Sequence, residues 1–580
     1  MEIMIVTKLN EAVKNALIEV GGPSSISFEV EHPVDFKNGD YYTNVALKVF
    51  GPISHGAKED KNTKRKRSSV MYQVSPKSFK NPIDLARKLK QVLDGKIKEV
   101  KKIDIAEPGF LNFHLSDEFL ISQIKDILTR GETYGKGNHA KGLKTLVEYT
   151  DPNPFKEFHI GHLMSNAVGE SISRIIAANG AEMKRACYQG DVGMHVAKAI
   201  YGLKAGKSLF ESYAFGAQAF ETDEVAKAEI QNLNKQIYEQ SDEAVNKLYD
   251  AGKKESLEEF EKIYQKLDTK FDFYFFESES GAFGKQVVEE NKNVFTTGEG
   301  GAIVYVGEAD GLHTRVFINS EGLPTYEAKE LGLAKIKYDK YPYDYAVVVT
   351  DNEIKEYFKV ILAAMKKVFP ELAAKTHHVT HGMLRLPSGK MSSRTGDVIT
   401  AENLITEVTE KIKAKLKESD KSGELDEKIL EQVAIGAIKY SILKQDSSKD
   451  IIFDLDKSIS FEGSSGPYLQ YTFARTQSVL EKAKEQSVAP SLAESELPGN
   501  LERLLYRYPE VVARAGEHLA PHLITTYLTE LASAFNAYYA SNQIVSVEAH
   551  SRYRVALTGA VGQILANGLE LLAIATPAKM

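Results

Sequence analysis

From Thr145 onward the chain sets short apolar runs, LVEY (146–149), MKRACY (183–188), AIVYV (302–306), RVFI (315–318) and YAVVVT (345–350), between longer helix-like stretches. That alternation is the strongest constraint on the fold. Strands separated by helical crossovers pair in parallel, and a parallel sheet needs helices over both faces. The reading is a doubly wound, Rossmann-like α/β domain over 145–455. With 580 residues the chain exceeds what one core supports, so further domains are expected on either side.

Residues 1–120 mix helix-like and strand-like segments with turn signals at Lys37-Asn38-Gly39-Asp40 and Glu107-Pro108-Gly109, which predicts a small α+β domain. Ser116-Asp117-Glu118 reads as a helix start, and a polar stretch over 121–144 as a connector. Between about 205 and 280 the pattern turns charged and helical, as an insertion into the sheet domain would. Over 456–580 apolar residues recur at three- and four-residue spacing, as in Leu523, Tyr527, Leu528, Leu531 and Phe535, so an all-α bundle is predicted.

Hydrophobic residues make up 43% and charged residues 26%, ordinary values for a globular chain. No apolar run reaches bilayer length, so no membrane partner is expected. The segment MEIMIVTKLNEAVKNAL does not read as a secretory signal, and the single cysteine, Cys187, excludes an internal disulfide and a Cys-rich zinc site; both fit the cytoplasm. At a net charge of −7, nucleic-acid binding requires local basic surface. Lys61-Asn62-Thr63-Lys64-Arg65-Lys66-Arg67 is either such a patch or a solvated loop.

The chemistry begins at EYTDPNPFKEFHIGH (148–162). It reads as a strand end, a loop held extended by two prolines, and a helix running to Asn179-Gly180. A helix N-terminus offers unpaired N–H groups to phosphate. His159 and His162, three apart, can face the same group, while Gly161 lets a flat ring approach the backbone. A zinc pair is disfavoured, since neither HExxH nor CxxC occurs, and no metal site is expected. The second stretch, LPSGKMSSRTGD (386–397), sets Lys390 and Arg394 on a Gly-flanked turn, suited to charge developing on a polyphosphate.

In this order and in one α/β domain, HIGH and KMSSR resemble the signature pair of class I aminoacyl-tRNA synthetases. EYTDPNPFKEFHIGH and LPTYEAKELGLA resemble the arginyl-tRNA synthetase forms of their segments. GSSGPYLQYTFARTQSVL resembles that family's junction into an anticodon-binding domain, LELLAIATPAKM its usual ending, and FKNGDYYTNVAL with AEPGFLNFHLS its N-terminal domain, which touches the tRNA elbow. The resemblance implies a ligase that joins arginine to tRNA(Arg), with ATP and Mg²⁺ as substrate, no zinc, and a monomeric state. It also implies adenylate formation that requires bound tRNA.

The site residues follow from it. Glu148, Asn153, Tyr326 and Glu330 would bind arginine; His159, His162, Lys156, Lys390 and Arg394 would act on the phosphates. The adenine would lie near Gly161 and the backbone of His381, Gly382 and Met383. Tyr468, Tyr471, Phe535 and Tyr539 would stack on anticodon bases. Some positions depart from the family pattern: Glu330 stands where aspartate is usual, Ile354 where a polar residue is, Val192 where tryptophan is, and Ser393 where the second lysine of the loop is, a charge that Lys156 would supply. Three alternatives stay open on the residues: a class I synthetase for another amino acid, a small-molecule nucleotidyltransferase, and a non-catalytic tRNA-binding paralogue.

Overall fold

The computed structural model describes residues 4–50, 79–385, 387, 399–418 and 426–580. The basic run 61–67 and the KMSSR residues, Lys390, Ser393 and Arg394 among them, lie outside these. The chain forms two compact units, one of residues 1–134, 479–510 and 534–564, the other of 135–478, 511–533 and 565–580.

In the second unit five strands make one sheet in the order Thr376–His381, Tyr345–Asp351, Lys144–Glu148, Glu182–Gln189, Phe273–Phe276. Every neighbouring pair is parallel. Leu146, Val147, Ala186, Cys187, Val347 and Val349 are fully enclosed, as expected where helices cover both faces. The chain enters at the central strand Lys144–Glu148, builds outward to one side, and then returns to build the other. The strand order therefore reverses between Lys144–Glu148 and Tyr345–Asp351, and the crevice beyond their carboxyl ends is where such sheets bind ligands.

Two expectations are corrected. AIVYV and RVFI do form strands, but Ile303–Tyr305 and Arg315–Ile318 pair antiparallel with each other, and Thr296–Thr297 joins them in a separate sheet. The connection between them is too short for a parallel crossover. The interval 205–280 holds the helices Leu209–Thr222, Glu224–Glu239 and Glu243–Lys266, yet it also contains Phe273–Phe276, an edge strand of the parallel sheet.

In the first unit, four antiparallel strands run in the order Val30–Glu31, Tyr41–Thr43, Phe110–Leu115, Val100–Ala106. The helices Ile5–Glu19 and Pro82–Leu93 pack their apolar stripes into a core shared with Ile103, Leu111 and Phe113. Ser116 caps the helix Asp117–Arg130 by accepting from the Phe119 N–H. The C-terminal region is helical, with Gly466–Glu485, Asn500–Leu505, Tyr508–Glu517, His522–Ser541 and Ser551–Leu571.

Candidate active site

Beyond the central strand the backbone is strained. Thr150, Asp151 and Phe155 have φ of 82°, 46° and 67°, a left-handed region that costs non-glycine residues about 1–3 kcal/mol each. The loop is therefore not extended, although Asp151 precedes a proline. Its neighbours hold it: the Thr150 N–H donates to Ser165 Oγ (2.9 Å), the Tyr188 N–H to Asp151 Oδ1 (2.7 Å), and the Phe155 N–H to Ser256 Oγ (2.9 Å). Phe155 is fully buried beneath Gly252, where a Cβ would lie 2.3 Å from its ring.

The loop delivers His159 to the N-cap of the helix Ile160–Ala178. His159 Nδ1 accepts from the Gly161 N–H (3.1 Å), and His162 Nδ1 accepts from the His159 N–H (3.2 Å). The rings stack with centroids 3.6 Å apart. With both Nδ1 atoms accepting, each neutral ring carries its proton on Nε2 and can donate there. Burial, then the charge of Lys156, lowers the pKa of His159; burial, then His159 and Lys156, holds His162 well below the usual range. Gly161 is required by its neighbour: a Cβ would lie 2.9 Å from His159 Cε1, so the flat ring over this glycine is that imidazole. The Lys156 ammonium sits 4.6 Å from the Tyr213 ring centroid, and burial lowers its pKa.

Backbone ties the HIGH segment to Ile399–Ala401. The Ile160 N–H donates to the Ile399 carbonyl (3.1 Å) and the Ala401 N–H to the Phe158 carbonyl (2.9 Å), with His159 bridged to Thr400. The chain just past KMSSR is thus tied to HIGH. On its other side, Leu384–Arg385 pairs with Ile451–Ile452. The backbone expected to meet adenine is already engaged: the Gly382 N–H donates to Ser447 O (2.8 Å), the Met383 N–H to Asp450 Oδ1 (2.9 Å), and His381 Nδ1 pairs with Gly382 O (2.8 Å).

At the strand ends the sheet gathers carboxylates. Glu148 Oε2 accepts from Lys337 Nζ at 2.7 Å, with both side chains almost fully enclosed. Burial and then Glu148 push the Glu330 carboxyl up to about 8, against the opposing pull of Lys337 and a hydrogen bond from Tyr326. Burial, then Glu148, raises the Asp151 pKa well above the usual range. Burial opposes the Lys337 ammonium, but Glu148, Tyr343 and Glu330 outweigh it and raise its pKa. Glu148, Tyr326 and Glu330 therefore lie in one acidic cluster.

Asn153 lies against bare backbone, where a Cβ on Gly190 would be 2.1 Å from its Oδ1 and 3.4 Å from Glu277 Cδ. Glu277, paired with Lys329 at 2.6 Å, was missed from the sequence because it fell inside the presumed insertion. Asp151, Lys337 and Asp191 were missed as well. Asp191, fully buried, accepts from Tyr249, Lys253 and Ser278. Their signal is spatial, since Lys337 lies far from Glu148 in sequence. His195, whose Nε2 is 2.7 Å from Gly190 O, is lowered to about 4 by burial and Lys156.

Among the presumed base-stacking aromatics, Phe535 is corrected. Its side chain is 0% exposed, so it belongs to the packing of its helix and offers no face to a base. Tyr539 is 40% exposed. Tyr468 and Tyr471 are half-buried, and the Arg475 guanidinium lies 4.9 Å from the Tyr471 ring. Among the described residues no group of three or more His, Cys, Asp or Glu is placed to hold a metal ion, and no helix is long and apolar enough to cross a membrane.

Residues 123–455 match the family tRNA synthetases class I (R), catalytic domain. Residues 469–580 match the DALR anticodon binding domain and residues 7–115 the arginyl tRNA synthetase N terminal domain. The arginine–tRNA ligase of Fusobacterium nucleatum is 30% identical over 506 residues, covering 83% of this chain and 87% of that protein. That of Borreliella burgdorferi is 30% identical over 547 residues, covering 88% and 92%. The structure of Thermus thermophilus arginyl-tRNA synthetase superposes with a TM-score of 0.72 at 26% identity, covering all of both chains. With its fold, both signature positions and all three family matches in agreement, the chain belongs to the class I arginyl-tRNA synthetases.

Proposed function

We propose that the protein activates arginine with Mg-ATP and transfers it to the 3′ end of tRNA(Arg). The arginine carboxylate attacks the α-phosphate, giving arginyl-adenylate and pyrophosphate. A ribose hydroxyl of the tRNA then takes the arginyl group and AMP leaves. The observation that carries the amino-acid assignment is the cluster of buried Glu148 and Glu330 with half-buried Asp151, beside Tyr326. Carboxylates there hold excess proton affinity until a cation enters, and a guanidinium's planar fork suits them.

Each group has a task that needs no protein nucleophile. Glu148, Glu330 and Tyr326 take the guanidinium, and Asn153, with Glu277 across Gly190, takes the α-amino end. His159 and His162 donate Nε2–H to the phosphates, while Lys156, Lys390 and Arg394 supply positive charge as it develops on them. Neutral imidazoles suit this role, because they donate without needing a proton from solvent. The C-terminal helices read the anticodon and the N-terminal domain contacts the tRNA, with the protein acting as a monomer in the cytoplasm. Neutral side chains would leave buried acids unpaired, so discrimination needs no editing.

An aminoacylation assay offering each of the twenty amino acids with ATP and tRNA tests the reading. Charging by arginine alone is expected. Charging by glutamine, glutamate, cysteine or lysine, or none at all, would overturn it.

A further inference from the structure

Lys337 lies seven residues past Glu330 on the helix Tyr326–Lys340, two turns along the same face. Its ammonium is 2.7 Å from Glu148 Oε2, with the two side chains 4% and 2% exposed. An ammonium so enclosed is held only by good partners. The groups around it come from several elements. Glu148 and Asp151 come from the central strand and its loop, Glu330 from its own helix, and Tyr343 from the turn before Tyr345–Asp351. Tyr326 and Glu277 in turn face Glu330. Burial and Glu148 raise the pKa of Asp151 and of Glu330, and the one fixed positive charge of Lys337 opposes both shifts.

We propose that Lys337 is a positioning residue for arginine: its buried ion pair holds the Glu148 carboxylate in one orientation, so that a single guanidinium completes the pocket's charge. The inference rests on the reading that Glu148 and Glu330 receive that guanidinium. It carries a sign that a merely structural lysine would not. With glutamate at 148, Lys337 serves arginine binding; with glutamine there, the bare ammonium repels the same ligand.

The test is pyrophosphate exchange, with tRNA present, in the full-length Lys337→Met, Lys337→Arg, Glu148→Gln and Glu148→Gln/Lys337→Met variants. Lys337→Met is expected to raise the arginine KM about tenfold or more at pH 7, leaving kcat and the ATP KM within about threefold. Lys337→Arg should restore the arginine KM to within about threefold of the parent. In the Glu148→Gln background the effect should reverse, the double variant having a lower arginine KM than Glu148→Gln alone. That comparison also survives poor folding of Lys337→Met, because the double variant buries no orphaned charge.

An unchanged arginine KM in Lys337→Met overturns the proposal, as does a fall in kcat with both KM values raised, or a double variant worse than Glu148→Gln. If Glu148→Gln itself leaves the arginine KM unchanged, the reading of the pocket falls and the proposal with it. A defect in Glu148→Gln without one in Lys337→Met sinks the proposal alone.

Discussion

His162 stacks on His159 with its Nδ1 committed to backbone, so the one function left to its ring is donation from Nε2. Such a donor acts mainly on charge that grows in the transition state. His162→Ala is therefore expected to slow adenylate formation by about 10²–10³ with arginine affinity little changed, and single-turnover assays read this directly. Glu330 gives a second prediction. Its folded pKa, near 8, lies above the unfolded value, so the native state binds the extra proton between the two. The stability tied to that proton is complete below the unfolded value and is lost as pH rises through about 8. Arginine must displace the proton. Calorimetry at pH 7 in buffers of different ionisation enthalpy should show net proton release on arginine binding, and less in Glu330→Gln. The resemblance to the arginyl-tRNA synthetase segments, rather than residue type alone, indicated Glu148, Tyr326 and Glu330 together. It could not reveal that Lys337 already holds Glu148, because an ion pair across 189 positions leaves no local pattern. Phe535 was legible in principle, since it lies four and seven residues past Leu531 and Leu528 on the apolar stripe.

At the scale of elements, the helix Ile160–Ala178 is fixed by one side chain. Glu170, 1% exposed, accepts from the Tyr149 hydroxyl, Arg174 and Arg185, tying helix to sheet. Glu170→Ala would leave two guanidinium groups without their buried partner and should destabilise the fold by about 3–5 kcal/mol, measured by denaturant titration. A second joint sits where the helices Glu277–Glu290 and Tyr326–Lys340 cross. A Cβ on Gly284 would lie 1.9 Å from Ala328 O, and one on Gly332 would lie 2.3 Å from Ser280 O. Gly284→Ala must therefore part the helix bearing Glu277 from the one bearing Tyr326, Glu330 and Lys337, and its arginine KM should rise with that of ATP unchanged. Periodicity located the first helix and its start, because capping and amphipathic spacing are local. It missed the strand Phe273–Phe276, whose four residues are too few to show alternation beside a long charged helix. It also assigned AIVYV and RVFI to the wrong sheet, because a run of apolar residues specifies a strand but not its partner.

For the whole molecule, length and the alternation of strand and helix set the class of fold, and the three family matches span most of the sequence. If adenylate formation depends on bound tRNA, as the family resemblance implies, pyrophosphate exchange should rise at least about tenfold when tRNA is added, corresponding to a coupling of ordinary allosteric size. Equal rates with and without tRNA would remove that dependence. The two backbone bonds between Phe158–Ile160 and Ile399–Ala401 make distant parts of the sequence a single clasp. The amide hydrogens of Ile160 and Ala401 should then exchange with deuterium at one shared rate, since neither can be released to solvent while the other stays fastened.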